Sequence, residues 1–211
     1  MSLTNTSGGR ARPVLLLSAL FVVACGAPEE SEADAGESVA VASTHEQFWQ
    51  ALNVHCGQAF GGTLAAGNQG DTSSFGGQPI VMHVRECSAD TVKVPLHVGD
   101  DRSRTWVFTK TEDGLRLKHD HRHEDGTEDS TTQYGGDTRD AGSADRQEFY
   151  ADEFTASLIP AASTNVWTVE IVPGERFAYA LRREGTDRTF RVEFNLTEPV
   201  PAPPAPWGFE N

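Results

Sequence analysis

The sequence predicts an all-β domain, an antiparallel meander closed into a β-barrel of about 8–10 strands behind one short N-terminal helix. Three observations carry that prediction. Helical periodicity occurs once, early in the chain, and alternating apolar and polar residues take over after it. The alternating runs are joined by Asp113-Gly114, Pro173-Gly174 and Glu184-Gly185-Thr186-Asp187, short turn signals that fold consecutive strands into hairpins. A meander of about nine such strands also leaves two open edges unless it curls and closes.

The elements follow in order. Thr44, with Gln47 three residues on, reads as a capping box for the helix that runs through His45-Glu46-Gln47-Phe48-Trp49-Gln50-Ala51-Leu52, and Phe48, Ala51 and Leu52 share one of its faces. Strands are expected over 58–66, 79–87, 91–98, 103–110, 115–123, 147–152, 165–172, 176–183 and 188–197. Alternation is cleanest at the end: Phe177, Tyr179 and Leu181 face one way, and Arg176, Arg182 and the small Ala178 and Ala180 the other. Phe190, Val192, Phe194 and Leu196 repeat the pattern against Arg191, Glu193 and Asn195. One dry and one wet face is the pattern of an antiparallel sheet. A flattened β-sandwich accommodates the same strands, and counting them does not separate the two.

Two stretches break the meander. Residues 124–146 hold seven acids, two arginines and four glycines and read as a long loop, either a mobile insertion or a lid. Residues 198–211 form a proline-rich C-terminal tail, expected as extended polyproline II with Trp207 and Phe209 pinned on the barrel.

Composition limits function. The 211 residues allow one ordinary domain with tails, and 17 basic against 31 acidic side chains give a net charge of −14. With no Lys/Arg-rich cluster to neutralise phosphates, nucleic acid is excluded as a partner.

The N-terminus carries an address. Arg10 and Arg12 precede a ten-residue run, 14–23, that is apolar but for Ser18, and the run's last two residues begin Val22-Val23-Ala24-Cys25. The apolar run falls short of the roughly 20 residues a membrane span needs and suits the core of a signal peptide. This resembles a bacterial lipoprotein signal peptide over 1–24 with its lipobox. The resemblance implies cleavage before Cys25, acylation of its thiol and new N-terminus, and a lipid bilayer as partner through that anchor. Gly26 in the next position resembles outer-membrane sorting in Gram-negative lipoproteins, so a cell-envelope location is expected. Cleavage would remove Arg10 and Arg12 and leave 15 basic against 31 acidic residues, a net of −16. Residues 26–43 hold five acids, no base and no aromatic, which cannot offset the entropy of ordering. Together with Cys25 they make 25–43 a disordered acidic tether ahead of a barrel domain over 44–197. With Cys25 acylated, Cys56 and Cys87 remain as a pair in an oxidising compartment, and a disulfide between them is expected.

A second resemblance is architectural. A helical turn, a first strand with Gly57, Phe60, Gly61 and Gly62, and a last strand bearing Arg188 and Arg191 are similar to the lipocalin-like, or calycin, barrels. Lipocalins carry a Gly-x-Trp in that first strand; Phe60 stands here with no tryptophan, so the likeness covers architecture and no diagnostic motif.

Candidate chemistry centres on Leu115-Arg116-Leu117-Lys118-His119-Asp120-His121-Arg122-His123-Glu124-Asp125. On a strand, Leu115, Leu117, His119, His121 and His123 share a face, so histidines follow leucines into a barrel. Residues two apart lie about 6.7 Å apart, close enough for two imidazoles to converge on one divalent metal, whereas three in a row span about 13 Å. A third ligand must come from His97, His83, Glu124 or Asp125. The competing reading is a polar barrel mouth, with these histidines hydrogen-bonded and Asp120, Lys118 and Arg122 in ion pairs behind them. Tyr134 and Tyr150 bracket the acidic loop as ligand-rim candidates. Arg176, Arg182, Arg183, Arg188 and Arg191 either hold an anion or ladder with Glu184 and Glu193 on a wet face. Neither a GxSxG elbow nor HExxH is present, and the loop lacks the Asp-x-Asp-x-Asp-Gly calcium pattern. The function expected is therefore binding of a small apolar or amphipathic molecule in the barrel, with a metal at His119 and His121 as an accessory. The alternatives are a metal- or histidine-dependent hydrolase or isomerase built on the HxHxH strand, and a structural lipoprotein with no ligand.

Overall fold

A computed structural model describes residues 42–67 and 75–210; the expected signal peptide, the expected acylation site Cys25 and most of the expected tether lie outside the described residues. The elements are α1 (Thr44–Asn53), β1 (Ala59–Gly67), β2 (Ile80–His83), β3 (Glu86–Cys87), β4 (Thr91–Val98), β5 (Asp101–Lys110), β6 (Leu115–His121) and β7 (Tyr134–Asp137). They continue with β8 (Arg146–Ala151), α2 (Glu153–Leu158), a 3-10 turn (Pro160–Ala162), β9 (Asn165–Val172), β10 (Arg176–Arg183) and β11 (Thr189–Val200).

From β4 to β11 each strand pairs antiparallel with the next. β11 then pairs with β1, β1 with β2, and β2 with β4, which shuts a ring of ten strands, β1, β2 and β4 to β11. The sheet is thus a closed all-β barrel, with two strands more than the eight of lipocalins. Closure uses Val81 opposite His97 and Met82 opposite Leu96, and it removes the edges that an open meander would expose. The short β3 hangs on β4 outside the ring.

Period-two alternation sends the large apolar side chains inward. Trp106 and Phe108 of β5, Trp167 of β9, Phe177 and Tyr179 of β10, and Phe194 of β11 are all buried. Each contributes on the order of 1.5–3 kcal/mol when fully buried. Trp106 stacks on Tyr179 with ring centroids 4.4 Å apart, and contacts Phe177 and Phe194 at about 6 Å, so the walls carrying β5 and β10 meet across the barrel. The opposite face of β10 and β11 is wet. Arg182 grips Glu148 through both terminal nitrogens (2.8 and 3.0 Å), and Arg191 joins Glu170 and Glu193 (2.7 Å each).

One end is plugged. Phe48, Trp49 and Leu52 of α1 are buried, and the helix packs against β8 and β9. Its N-cap is Ser43, one residue before the expected Thr44: the Ser43 hydroxyl accepts from the Glu46 amide (3.2 Å), while Thr44 Oγ1 donates to the Ala141 carbonyl. Thr44 is diverted because that hydroxyl reaches the β7–β8 connection. Glu46 pairs with Lys110 at the end of β5 (2.6 Å), and the Cys56–Cys87 disulfide ties the segment after α1 to β3 (Cα–Cα 6.2 Å).

Three departures from the expected elements have physical causes. The strand expected over 79–87 breaks after His83, because hydrogen bonding changes sides: the Val84 amide donates to Gln58, the Arg85 amide to Lys93 on β4. The loop expected over 124–146 contains β7, whose Gly135 and Gly136 let it lie flat between neighbours. A Cβ at these positions would overlap the carbonyl oxygens of Leu117 and Tyr150. The loop's acids are absorbed locally, Asp125 and Asp129 accepting from the Thr127 (2.9 Å) and Thr131 (2.7 Å) amides. α2, capped by Asp152 accepting from the Thr155 amide (2.8 Å), is too short to show a helical period. Beyond Val200 the chain crosses back to β5, where the Trp207 amide donates to Arg102 (3.1 Å) and Arg122 lies over the Phe209 ring (5.4 Å).

Candidate functional site

The end opposite α1 holds a cavity of about 410 Å³. Its position follows from strand parity: Trp106 and Tyr179 touch and make a floor, and the inward residues beyond them, Arg104 on β5 and Leu181 and Arg183 on β10, stand in the wall. Trp167, Tyr134 and Phe190 add aromatic surface, and Ile159 and Ala162, around the 3-10 turn, form part of the rim.

His119 lies at the base of this cavity and is buried. Its Nδ1 lies 3.0 Å from the Tyr134 carbonyl, which can only accept, so Nδ1 carries the proton. Nε2 is therefore a lone-pair acceptor and takes the Tyr179 hydroxyl proton at 2.7 Å. Both ring nitrogens are thereby engaged. The ring is stacked on Tyr134 (4.4 Å, 9° between planes) and leans on Trp167. Burial, then the neighbouring His121, lowers its pKa to about 3. Burial likewise pushes Tyr134 up to about 12 and Tyr179 well above its ordinary value.

His121 faces the same cavity nearer the rim, cross-strand from Arg104, and its Nε2 shares a 3.2 Å hydrogen bond with the Tyr134 hydroxyl. Burial and then the Arg104 charge lower its pKa to about 4. Two neutral imidazoles and two protonated phenols form a polar floor among indole and phenyl rings. It can orient a ligand through hydrogen bonds.

The remaining candidates lie elsewhere. His123 is past the end of β6, exposed, with Asp129 3.9 Å away. His97 alternates with Leu96 and so points out of the barrel; together with Glu124 and Trp207 it lines a separate cleft beneath the C-terminal segment. Tyr150 is also on the outer wall, donating to Glu148 (3.0 Å) beneath the Arg139 guanidinium (4.3 Å), because Gln147 and Phe149 take the inward positions of β8. Of the two tyrosines expected at the rim, only Tyr134 lines the cavity. The donor set does not suit the expected divalent metal: His119 has no ring nitrogen to spare, and His97 and Glu124 are across the wall. No group of three or more His, Cys, Asp or Glu side chains among the described residues is placed to hold a metal ion.

Two cavity residues were offered by the sequence only as members of an arginine cluster. Parity resolves the cluster: Arg176, Arg182 and Arg191 face out and ladder with glutamates, whereas Arg183 and Arg188 line the cavity with Arg104. Arg183, two beyond Leu181, carried that signal in the sequence. Phe75, on the β1–β2 connection, had none; it touches Phe190 (5.0 Å) and lies under Arg104 (5.6 Å).

Comparison of the chain with protein-family models, with curated proteins and with solved structures finds no match.

Proposed function

We propose that this protein is a binding lipoprotein, which takes one small apolar or amphipathic molecule in the open mouth of its barrel and is held at the cell envelope by acylated Cys25. The observation that carries the reading is the cavity of about 410 Å³ at the unplugged end, walled by Trp106, Trp167, Tyr134 and Phe190 with a few placed polar groups. Its size and lining match those of small-molecule sites, which run to about 300–1,000 Å³. The buried aromatic core below it is rigid and filled, so the mouth is where a guest fits.

Titration with the neutral fluorophore phenylnaphthylamine tests this. Saturable fluorescence gain at one probe per chain is expected, weakened at least tenfold by Leu181→Trp, which narrows the mouth without touching the plug. Absence of saturable binding, or binding indifferent to Leu181→Trp, would count against the reading.

The anchor has its own test. Cys25→Ala should move the protein from the membrane fraction to the soluble fraction of the envelope, and mass spectrometry of the native N-terminus should show acyl chains on Cys25. A wild-type protein recovered without acyl chains would remove the anchor from the account.

A further inference from the structure

We propose that the hollow between the barrel wall and the C-terminal segment is a second binding site, separate from the mouth, for a small neutral molecule bearing a secondary amide. The guest's carbonyl accepts from the Trp207 indole N–H, and its own N–H donates to Nε2 of His97.

The first observation is a pair of buried polar atoms that the protein leaves unpaired. His97 is only 5% exposed although it stands on the outer face of β4, cross-strand from Val81. Its Nε2 is buried with no hydrogen-bond partner. Trp207 lines the same hollow from the C-terminal segment, and its Nε1 is equally buried and unpaired. Taking such groups out of water without a partner is costly, so each calls for a partner from outside the chain.

The second observation is that the hollow is held open. The Trp207 amide donates to the Arg102 carbonyl (3.1 Å), and the Arg102 guanidinium donates to the Ala205 carbonyl (3.1 Å). Further on, the Phe209 ring lies against Lys93 (5.0 Å) and Arg122 (5.4 Å). Between these fastenings and the wall, Pro203 and Pro204 line the space, and a proline has no N–H to give His97. The volume is about 530 Å³. A water molecule takes about 30 Å³ in the liquid, so the space suits a larger guest. Pro79, Val81, Pro203 and Pro204 give it apolar surface for alkyl groups.

The third is chemical type. An indole N–H only donates, so the guest must bring an acceptor. Burial and then the Arg102 charge lower the His97 pKa to about 4, so at neutral pH the imidazole is uncharged and keeps one acceptor nitrogen, which calls for a donor. A secondary amide carries acceptor and donor on one planar group. Ions fit worse. A carboxylate has no donor for His97 and would face Asp100 and Glu124, which also line the hollow. An ammonium has no acceptor for Trp207 and would face Arg102.

Paired probes decide the matter. N-isopropylacetamide and isopropyl acetate share one skeleton and differ in the N–H, which an ester oxygen replaces. In a proton–nitrogen NMR spectrum of the full chain, the Trp207 indole signal is expected to shift and saturate with the amide at one molecule per chain. The ester and acetate ion should each bind roughly fivefold more weakly or worse. His97→Phe should weaken the amide roughly tenfold, whereas His97→Gln, which keeps an acceptor and a donor, should cost less than about threefold. Unmoved indole signals of Trp49, Trp106 and Trp167 show that a variant is folded; where one fails that check, the probes on the unaltered chain decide. No saturable shift at Trp207 would overturn the proposal and leave water alone in the hollow. Equal binding of amide and ester, or binding by a folded His97→Phe chain as tight as by the unaltered one, would overturn the amide assignment.

Discussion

His119 shows how a single side chain can be settled by its neighbours. A carbonyl on one nitrogen and a phenol on the other fix its tautomer and keep it neutral, and its pKa of about 3, with about 4 for His121 and His97, makes stability pH-dependent. Each folded-state value lies below the ordinary histidine value of about 6.5, so between these limits the unfolded chain binds more protons. The stabilisation is full above about pH 6.5 and is lost as pH falls toward 4. Urea denaturation at pH 7 and pH 5 should therefore show a lower midpoint at pH 5; an equal or higher one would mean these imidazoles are not buried and neutral. The inward parity of His119 and His121 was legible from Leu115 and Leu117 before them. Tyr179 as a partner was not, because it is 60 residues away in sequence and β10 reaches β6 only across the barrel interior.

At the scale of elements, the plug and the mouth arise by different means. α1 is legible because Phe48 and Leu52 repeat at helical spacing, and it is fastened by the Glu46–Lys110 pair and by the Cys56–Cys87 bridge. That bridge spans a sequence separation of 31, for which loop-closure entropy gives about 4 kcal/mol. Reduction should lower the unfolding free energy by that order and the urea midpoint with it, measured with and without a thiol reductant, and no change would show that the plug is held without it. β7 escapes a propensity reading, since Tyr-Gly-Gly-Asp lacks β-branched residues and lies in an acidic segment. Its glycines are there because adjacent backbones leave no room for a Cβ, a tertiary requirement. The hairpin signals at Asp113-Gly114 and Pro173-Gly174, by contrast, are local and give their strands directly.

Taken together, the described residues form a closed ten-strand barrel with a helical plug at one end and an aromatic, arginine-bearing mouth at the other. Alternation and turn signals made the barrel legible, but not which histidines and arginines converge, since that depends on ring order and on where the walls touch. A small molecule bound in the mouth, as proposed, would be reported by the chain's four tryptophans separately. Trp106 and Trp167 line the mouth, Trp49 lies in the plug, and Trp207 is pinned in the C-terminal segment. In a proton–nitrogen NMR spectrum of the full chain titrated with phenylnaphthylamine, the indole signals of Trp106 and Trp167 should shift and saturate together while those of Trp49 and Trp207 stay in place. Shifts confined to Trp49 or Trp207, or no shift at all, would contradict it.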